Sequence, residues 1–258
     1  MEEKSMEGEL GAKIRVRRLS VARGAVGALF DVSFDVRGRG VTVVLGAADS
    51  GKTVLLRALT RLHLDRSTQV SGSVEIRGKE IYAPDIDLPA LHRRVGMVFS
   101  PARLFPGSIA TNVAYGLRVA RTHSDEEIRQ SIETALRAVG LWGKVRTNLD
   151  GAPADLTREE QQRLCIARAL VLDPEVILLD DPARDFDHLA RRRLEDLLRV
   201  LRARATVILA TRDVRHAARL GDDVVFLSRG RVIETGVANE VLSRPHAAEV
   251  LEYITACG

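Results

Sequence analysis

The run VTVVLGAADSGKT, residues 41–53, constrains the fold of this chain more than any other stretch. Five apolar or β-branched residues precede a glycine without polar alternation, the pattern of a strand buried on both faces. The glycine opens G-x-x-x-x-G-K-[ST], filled at its fixed positions by Gly46, Gly51, Lys52 and Thr53, and helical spacing follows to about Leu62. Backbone N–H groups of such a loop form a concave nest, and the helix behind it points its positive end at the same spot. The loop Gly46, Ala47, Ala48, Asp49, Ser50, Gly51, Lys52 and Thr53 is therefore expected to cradle nucleotide phosphates. In a P-loop of this kind Lys52 reaches the β- and γ-phosphates of ATP and Thr53 holds Mg²⁺. Asp49 is the unusual member. Aspartate tolerates left-handed backbone, but its charge is unfavourable beside a triphosphate unless the side chain turns to solvent.

Further buried runs, VGMVF (95–99), EVILLD (175–180) and ATVILA (205–210), alternate with helical stretches, as in a doubly wound α/β sheet. Ahead of the P-loop, KIRVRRLSVA and ALFDVSFDVRG alternate with period two and read as an antiparallel β-subdomain, joined by SVEIRG. From Ser100 to about Asp173 strand signals vanish. SDEEIRQSIETALRAVG, with Ser124 as N-cap, typifies a helical insertion. DVVFLSRGRVIETG reads as a hairpin turning on Arg229–Gly230, and the first ten residues as a loose tail. The expectation is one domain, 1–258, with its core in 11–99 and 174–258 and a helical subdomain at 100–173.

VILLDDP ends a buried strand in two acids. Beside a P-loop, Asp180 is placed to hold Mg²⁺ through water and Asp181 to polarise an attacking water. In LTREEQQRLCIARAL, Thr157 stands three places before Glu160, a capping-box spacing, and apolar residues recur on one helical face. A net charge of +4 and 4% aromatics favour neither base stacking nor a nucleic-acid partner. Cys165 and Cys257 make no disulfide framework, and Cys165 falls on an apolar face as a small core residue. No apolar run approaches the ~18 residues of a membrane span, and the N-terminus lacks a signal peptide, so a cytoplasmic chain is expected.

The order P-loop, VGMVF, QQRLCIARAL, PEVILLDDP, TVILATRDVRHAARLGD resembles the ATP-binding subunits of ABC transporters from about Ile14 to Thr255. Within that family IYAPDIDLPALHRRVGMVF and LFPGSIATNVAYGLR are most similar to the phosphate-import subunits. The resemblance implies an ABC-type P-loop ATPase fold and two chains facing head to tail. They would form a homodimer or a heterodimer with another ABC ATPase chain. Each MgATP would lie between one chain's P-loop and the other's signature helix. It also implies docking to membrane-spanning permease subunits at the inner face of the membrane, with residues 100–115 at that contact.

Against the family pattern the hydrolytic positions differ. Where the family has L-S-G-G-Q, Thr157 keeps a hydroxyl, Arg158 and Glu159 replace the glycines, and Glu160 replaces the glutamine. A glutamate turned toward the γ-phosphate matters, since two unit charges about 4 Å apart interact by roughly 4 kcal/mol at an effective dielectric of ~20. Ser100 stands for the glutamine that senses Mg²⁺ and water, Asp181 for the glutamate base, and Arg212 for the histidine at the γ-phosphate. His216 lies one helical turn beyond. S-A-L-D becomes Arg184, Asp185, Phe186 and Asp187, keeping only the last acid, and Arg23 stands where an aromatic stacks on adenine. The resemblance so modified implies a chain that binds MgATP and hydrolyses it poorly. A fully active transport ATPase, a regulatory or partner subunit, and a soluble ABC-type ATPase remain the alternatives.

Overall fold

The computed structural model describes residues 12–24, 26–62, 67–121, 123–184 and 186–257, so the N-terminal tail and Asp185 lie outside the described residues. Strands β1 (Ala12–Arg23), β2 (Val26–Arg37), β4 (Thr68–Ile76) and β5 (Lys79–Glu80) form an antiparallel sheet in the order β2-β1-β4-β5. A second sheet contains β3 (Gly40–Leu45), β6 (Val95–Val98), β7 (Val176–Asp180), β8 (Thr206–Thr211), β9 (Asp223–Ser228) and β10 (Arg231–Val237). Its order is β10-β9-β3-β8-β7-β6, parallel except for β10, which turns back along β9 at Arg229 and Gly230 as the hairpin signal predicts.

The parallel strands are covered on both faces, and alternate residues divide between two cores. Val43, Leu45, Ile177, Leu179, Val207 and Leu209 face one side, whereas Val44, Val176, Leu178, Ile208 and Ala210 face the other. Because side chains alternate along a strand, both sides must be apolar, which is why these segments read as unbroken hydrophobic runs. The second face packs on helix α1 (Lys52–Ala58) and the antiparallel sheet through Leu55, Leu56 and Leu59, all fully buried. Each such leucine contributes about 1.5–3 kcal/mol of transfer free energy.

Helix α1 is shorter than the periodicity suggests. Its end closes by bonds from Arg61 N–H to the Ala58 carbonyl and from Leu62 N–H to the Arg57 carbonyl. Arg61 adopts the left-handed conformation (φ 55°), the position a glycine commonly fills in this closing motif. Thr60 reinforces the stop by donating its hydroxyl to the Arg57 carbonyl at 3.0 Å.

After α2 (Leu88–Arg94) and β6, the chain up to β7 carries helices only, among the described residues: α3 (Ile109–Ala120), α4 (Asp125–Ala138), α5 (Trp142–Val145), a short 3₁₀ turn and α6 (Arg158–Leu170). Ser124 and Glu127 cap α4 reciprocally, as the sequence predicts. Helices α7 (His188–Leu201), α8 (Val214–Leu220), α9 (Ala238–Ser243) and α10 (Ala248–Cys257) complete the fold. Among the described residues no helix is long and apolar enough to cross a membrane.

Candidate functional site

Sheet register brings the chemistry to one edge. Leu45 pairs with Thr211 and Asp180 with Ala210, so the P-loop, Arg212 and Asp181 leave the C-terminal ends of adjacent parallel strands together. Ligands of open α/β sheets gather in this position. Here a cleft of about 480 Å³ is lined by Ala48, Asp49, Gly51, Lys52, Thr53, Asp180, Asp181, Arg184 and Arg212, with Phe30, Arg229 and Gly230 across the mouth.

Two glycines set the loop. A Cβ on Gly46 would lie 2.1 Å from the Leu227 carbonyl oxygen, and one on Gly51 (φ 105°) would lie 2.9 Å from Leu29 Cδ2. The loop can therefore sit flush on the sheet edge only with glycine at both points. Gly51 is also the N-cap of α1, and no side chain caps this helix. Its first N–H groups thus face the cleft without a side-chain acceptor, which suits an anion. Asp49 is left-handed (φ 58°) and exposed, so its carboxylate has the solvent available that the sequence reading requires.

Lys52 is buried and donates to the Gly46 and Ala47 carbonyls at 2.7 and 2.5 Å and to Ser50 Oγ at 3.2 Å. Burial pulls its pKa down to about 8, partly opposed by Asp181. Thr53 donates its hydroxyl to Asp180 Oδ1 at 2.9 Å. Burial pushes the Asp180 carboxyl up, and the Thr53 bond works against that push. A buried carboxylate and a hydroxyl converging on one point form a hard oxygen pair that fits Mg²⁺.

Asp181, left-handed at φ 50°, carries a pair of cationic neighbours. Its Oδ2 lies 3.2 Å from Arg184 Nε and 3.7 Å from Arg212 Nε. Arg184 carries no catalytic expectation from the sequence, and only the return of the chain after Pro182 puts it on this oxygen. His216 is not at the cleft: it is buried against α7 with Nε2 3.2 Å from Glu195 Oε1, and burial pulls its pKa down although Glu195 opposes this. Ser100 does not line the cleft either. It follows β6, whose Val98 pairs with Leu179, so the chain there leaves the sheet beside β7, the strand that ends in Asp180.

A second cleft of about 630 Å³ shares Ala28 and Val54 with the first and is walled by Val21, Val26, Leu62 and Arg23. It is apolar, abuts the P-loop and can take a planar base. Arg23 lies on its wall, consistent with the stacking position, while the valines were missed because nothing in their spacing separates them from ordinary strand residues.

None of Thr157, Arg158, Glu159 and Glu160 lines the cleft. They start α6, where Thr157 and Glu160 close the predicted capping box: Glu160 N–H donates to Thr157 Oγ1 and Thr157 N–H to Glu160 Oε2 at 2.9 Å. Glu160 therefore turns back on its own helix and pairs with Lys144 at 2.7 Å, rather than outward to a phosphate. Burial pushes its carboxyl up, but the Lys144 and Thr157 bonds outweigh this and hold it below the usual range. Glu159 folds inward to Arg163 at 2.6 Å and Arg193 at 3.3 Å, and Arg158 is exposed.

Residues 29–184 match the ABC transporter family. The chain belongs to that family. Over 243 residues, 94% of this chain, it is 36% identical to phosphate import ATP-binding protein PstB 2 of Aliivibrio fischeri and 37% to PstB 1 of Vibrio cholerae, covering 89% of each. CbiO1 of Clostridium perfringens, part of the ABC transporter complex cbiONQ, superposes with a TM-score of 0.78 at 25% identity over 95% of both chains. A bacterial Atm1-family ABC exporter shares the fold at TM-score 0.79 and 22% identity, over 96% of this chain and 42% of the exporter. The protein is an ABC transporter ATP-binding subunit with the mixed α/β fold of that family.

Proposed function

We propose that this subunit serves phosphate import, holding MgATP in the P-loop cleft at the inner face of the membrane beneath permease subunits, and hydrolysing it slowly. Its relatives' phosphate-import names support the cargo. The slow step rests on one observation: the acid that follows β7 beside the P-loop is the short Asp181, 15% exposed and with its backbone N–H tied to the Ala210 carbonyl at 2.9 Å.

Thr53 and Asp180 would hold Mg²⁺, which neutralises phosphate charge when bound. Lys52 and the first N–H groups of α1 would position the phosphates, and the apolar slot would seat the base. Asp181 then has to take a proton from water. A carboxylate one methylene shorter than glutamate sits back from that water, and a misplacement of ~1 Å can cost ~100-fold in rate.

The capped α6 favours a mixed dimer as the assembly. This chain's own cleft would face an intact signature helix on a partner, while its own α6 offers few free donors in return. The test is Mg²⁺-dependent phosphate release from ATP by the purified chain beside Lys52→Ala. Equal, near-background rates in both are expected. Turnover that disappears in the variant would overturn the slow-hydrolysis reading.

A further inference from the structure

The cleft has a direction. The apolar slot meets it at Ala28 and Val54, the P-loop follows, and the carboxylate pair with Arg184 and Arg212 closes the far side. A nucleotide with its base in the slot and its inner phosphates on the P-loop therefore extends its terminal phosphate toward these two arginines.

Neither arginine is locked. Arg184 and Arg212 are 48% and 51% exposed, whereas Asp181 between them is 15% exposed. The Asp181 backbone is tied to the sheet, since its N–H donates to the Ala210 carbonyl at 2.9 Å. The guanidinium heads sit half-exposed at the ends of long stems, each with a nitrogen within 4 Å of the same Asp181 oxygen. A planar guanidinium matches phosphate oxygens as well as carboxylate oxygens, and a terminal phosphate carries more charge than one carboxylate.

We propose that Arg184 and Arg212 form a clamp that distinguishes nucleoside triphosphate from diphosphate by exchanging the Asp181 carboxylate for the terminal phosphate. This deepens the ATP-binding reading and rests on it. A diphosphate ends short of the clamp and leaves both arginines on Asp181. A triphosphate reaches them, so the discrimination comes from this chain alone and needs no opposite signature helix. Arg184 is then a specificity residue supplied by the turn after β7.

The experiment is calorimetric titration of the full chain with the β,γ-imido analogue of ATP and with ADP, each with Mg²⁺, so that turnover does not enter. Wild type should bind the triphosphate more tightly. Arg184→Ala and Arg212→Ala should each weaken the triphosphate by roughly tenfold, one charge-assisted contact, and ADP by less than about twofold. Arg184→Lys should recover part of the loss. Asp181→Asn should tighten the triphosphate severalfold by freeing the arginines. Equal loss for both nucleotides in Arg184→Ala, or no loss for either, would overturn the clamp while leaving ATP binding standing. A wild type that binds neither nucleotide would overturn the ATP-binding reading and the clamp with it. Unchanged circular dichroism of the variants separates these outcomes from misfolding.

Discussion

Two helices of this protein begin in opposite ways. The N-cap of α1 is Gly51, which offers no side chain, and its first N–H groups open into a charged cleft. The N-cap of α6 is Thr157, and Glu160 completes a reciprocal box with Lys144 behind it. The first end leaves backbone donors to a ligand, and the second satisfies them from within. An uncapped helix start gives up about 1 kcal/mol of local stability and gains an anion site, whereas a capped one makes the reverse exchange. A glycine-rich helix start would belong with the first kind of end, and Thr157 with Glu160 puts α6 in the second.

The largest effect that sharpens this contrast is Lys52→Ala. It should weaken ATP about 100-fold by titration, because a buried ammonium meets the phosphates directly. Binding left near the wild-type level would remove the cleft from consideration.

A pH series gives the next effect. With Lys52 near pKa 8 in the free protein, a bound triphosphate restores the proton and raises that value. Affinity should therefore be flat below pH 8 and fall by up to about tenfold per unit above it. Stability of the free protein should move oppositely. Between pH 8 and the ordinary lysine value of 10.5, the unfolded chain holds more protons than the fold, so stability contributed by this group rises with pH. A pH-independent affinity between 8 and 10 would contradict the assignment.

Smaller effects belong to α6. Thr157→Ala should cost about 1 kcal/mol, lowering Tm by roughly 2–4 °C, and leave ATP affinity of the isolated chain unchanged. Glu160→Gln keeps the box, loses only the half-exposed Lys144 pair, and should cost less than about 0.5 kcal/mol. A Thr157→Ala variant that binds ATP more weakly would show that the two ends are coupled within one chain.

The sequence alone carried the P-loop, the acidic strand end and the capping box, because each depends on residues within a few positions of one another. Val43, Val44 and Leu45 declare a doubly buried strand by composition, and Gly46 and Gly51 declare the loop by spacing. It misjudged the end of α1, where Arg61 takes a left-handed turn that no glycine announces. It also named Ser100, which follows β6 beside the acid-bearing β7 without lining the cleft.

Tertiary structure decided the rest for a physical reason. Lateral order in a parallel sheet, β3 beside β8 beside β7, comes from crossovers that local patterns do not encode. That order brings Arg212 to the Asp181 oxygen that Arg184 reaches from the turn after β7, while packing of the antiparallel sheet on α1 seats Val21, Val26 and Val54 around a base-sized slot and packing of α8 on α7 buries His216 on Glu195. Short-range chemistry wrote the phosphate cradle into the sequence, and long-range packing chose the charges that face it.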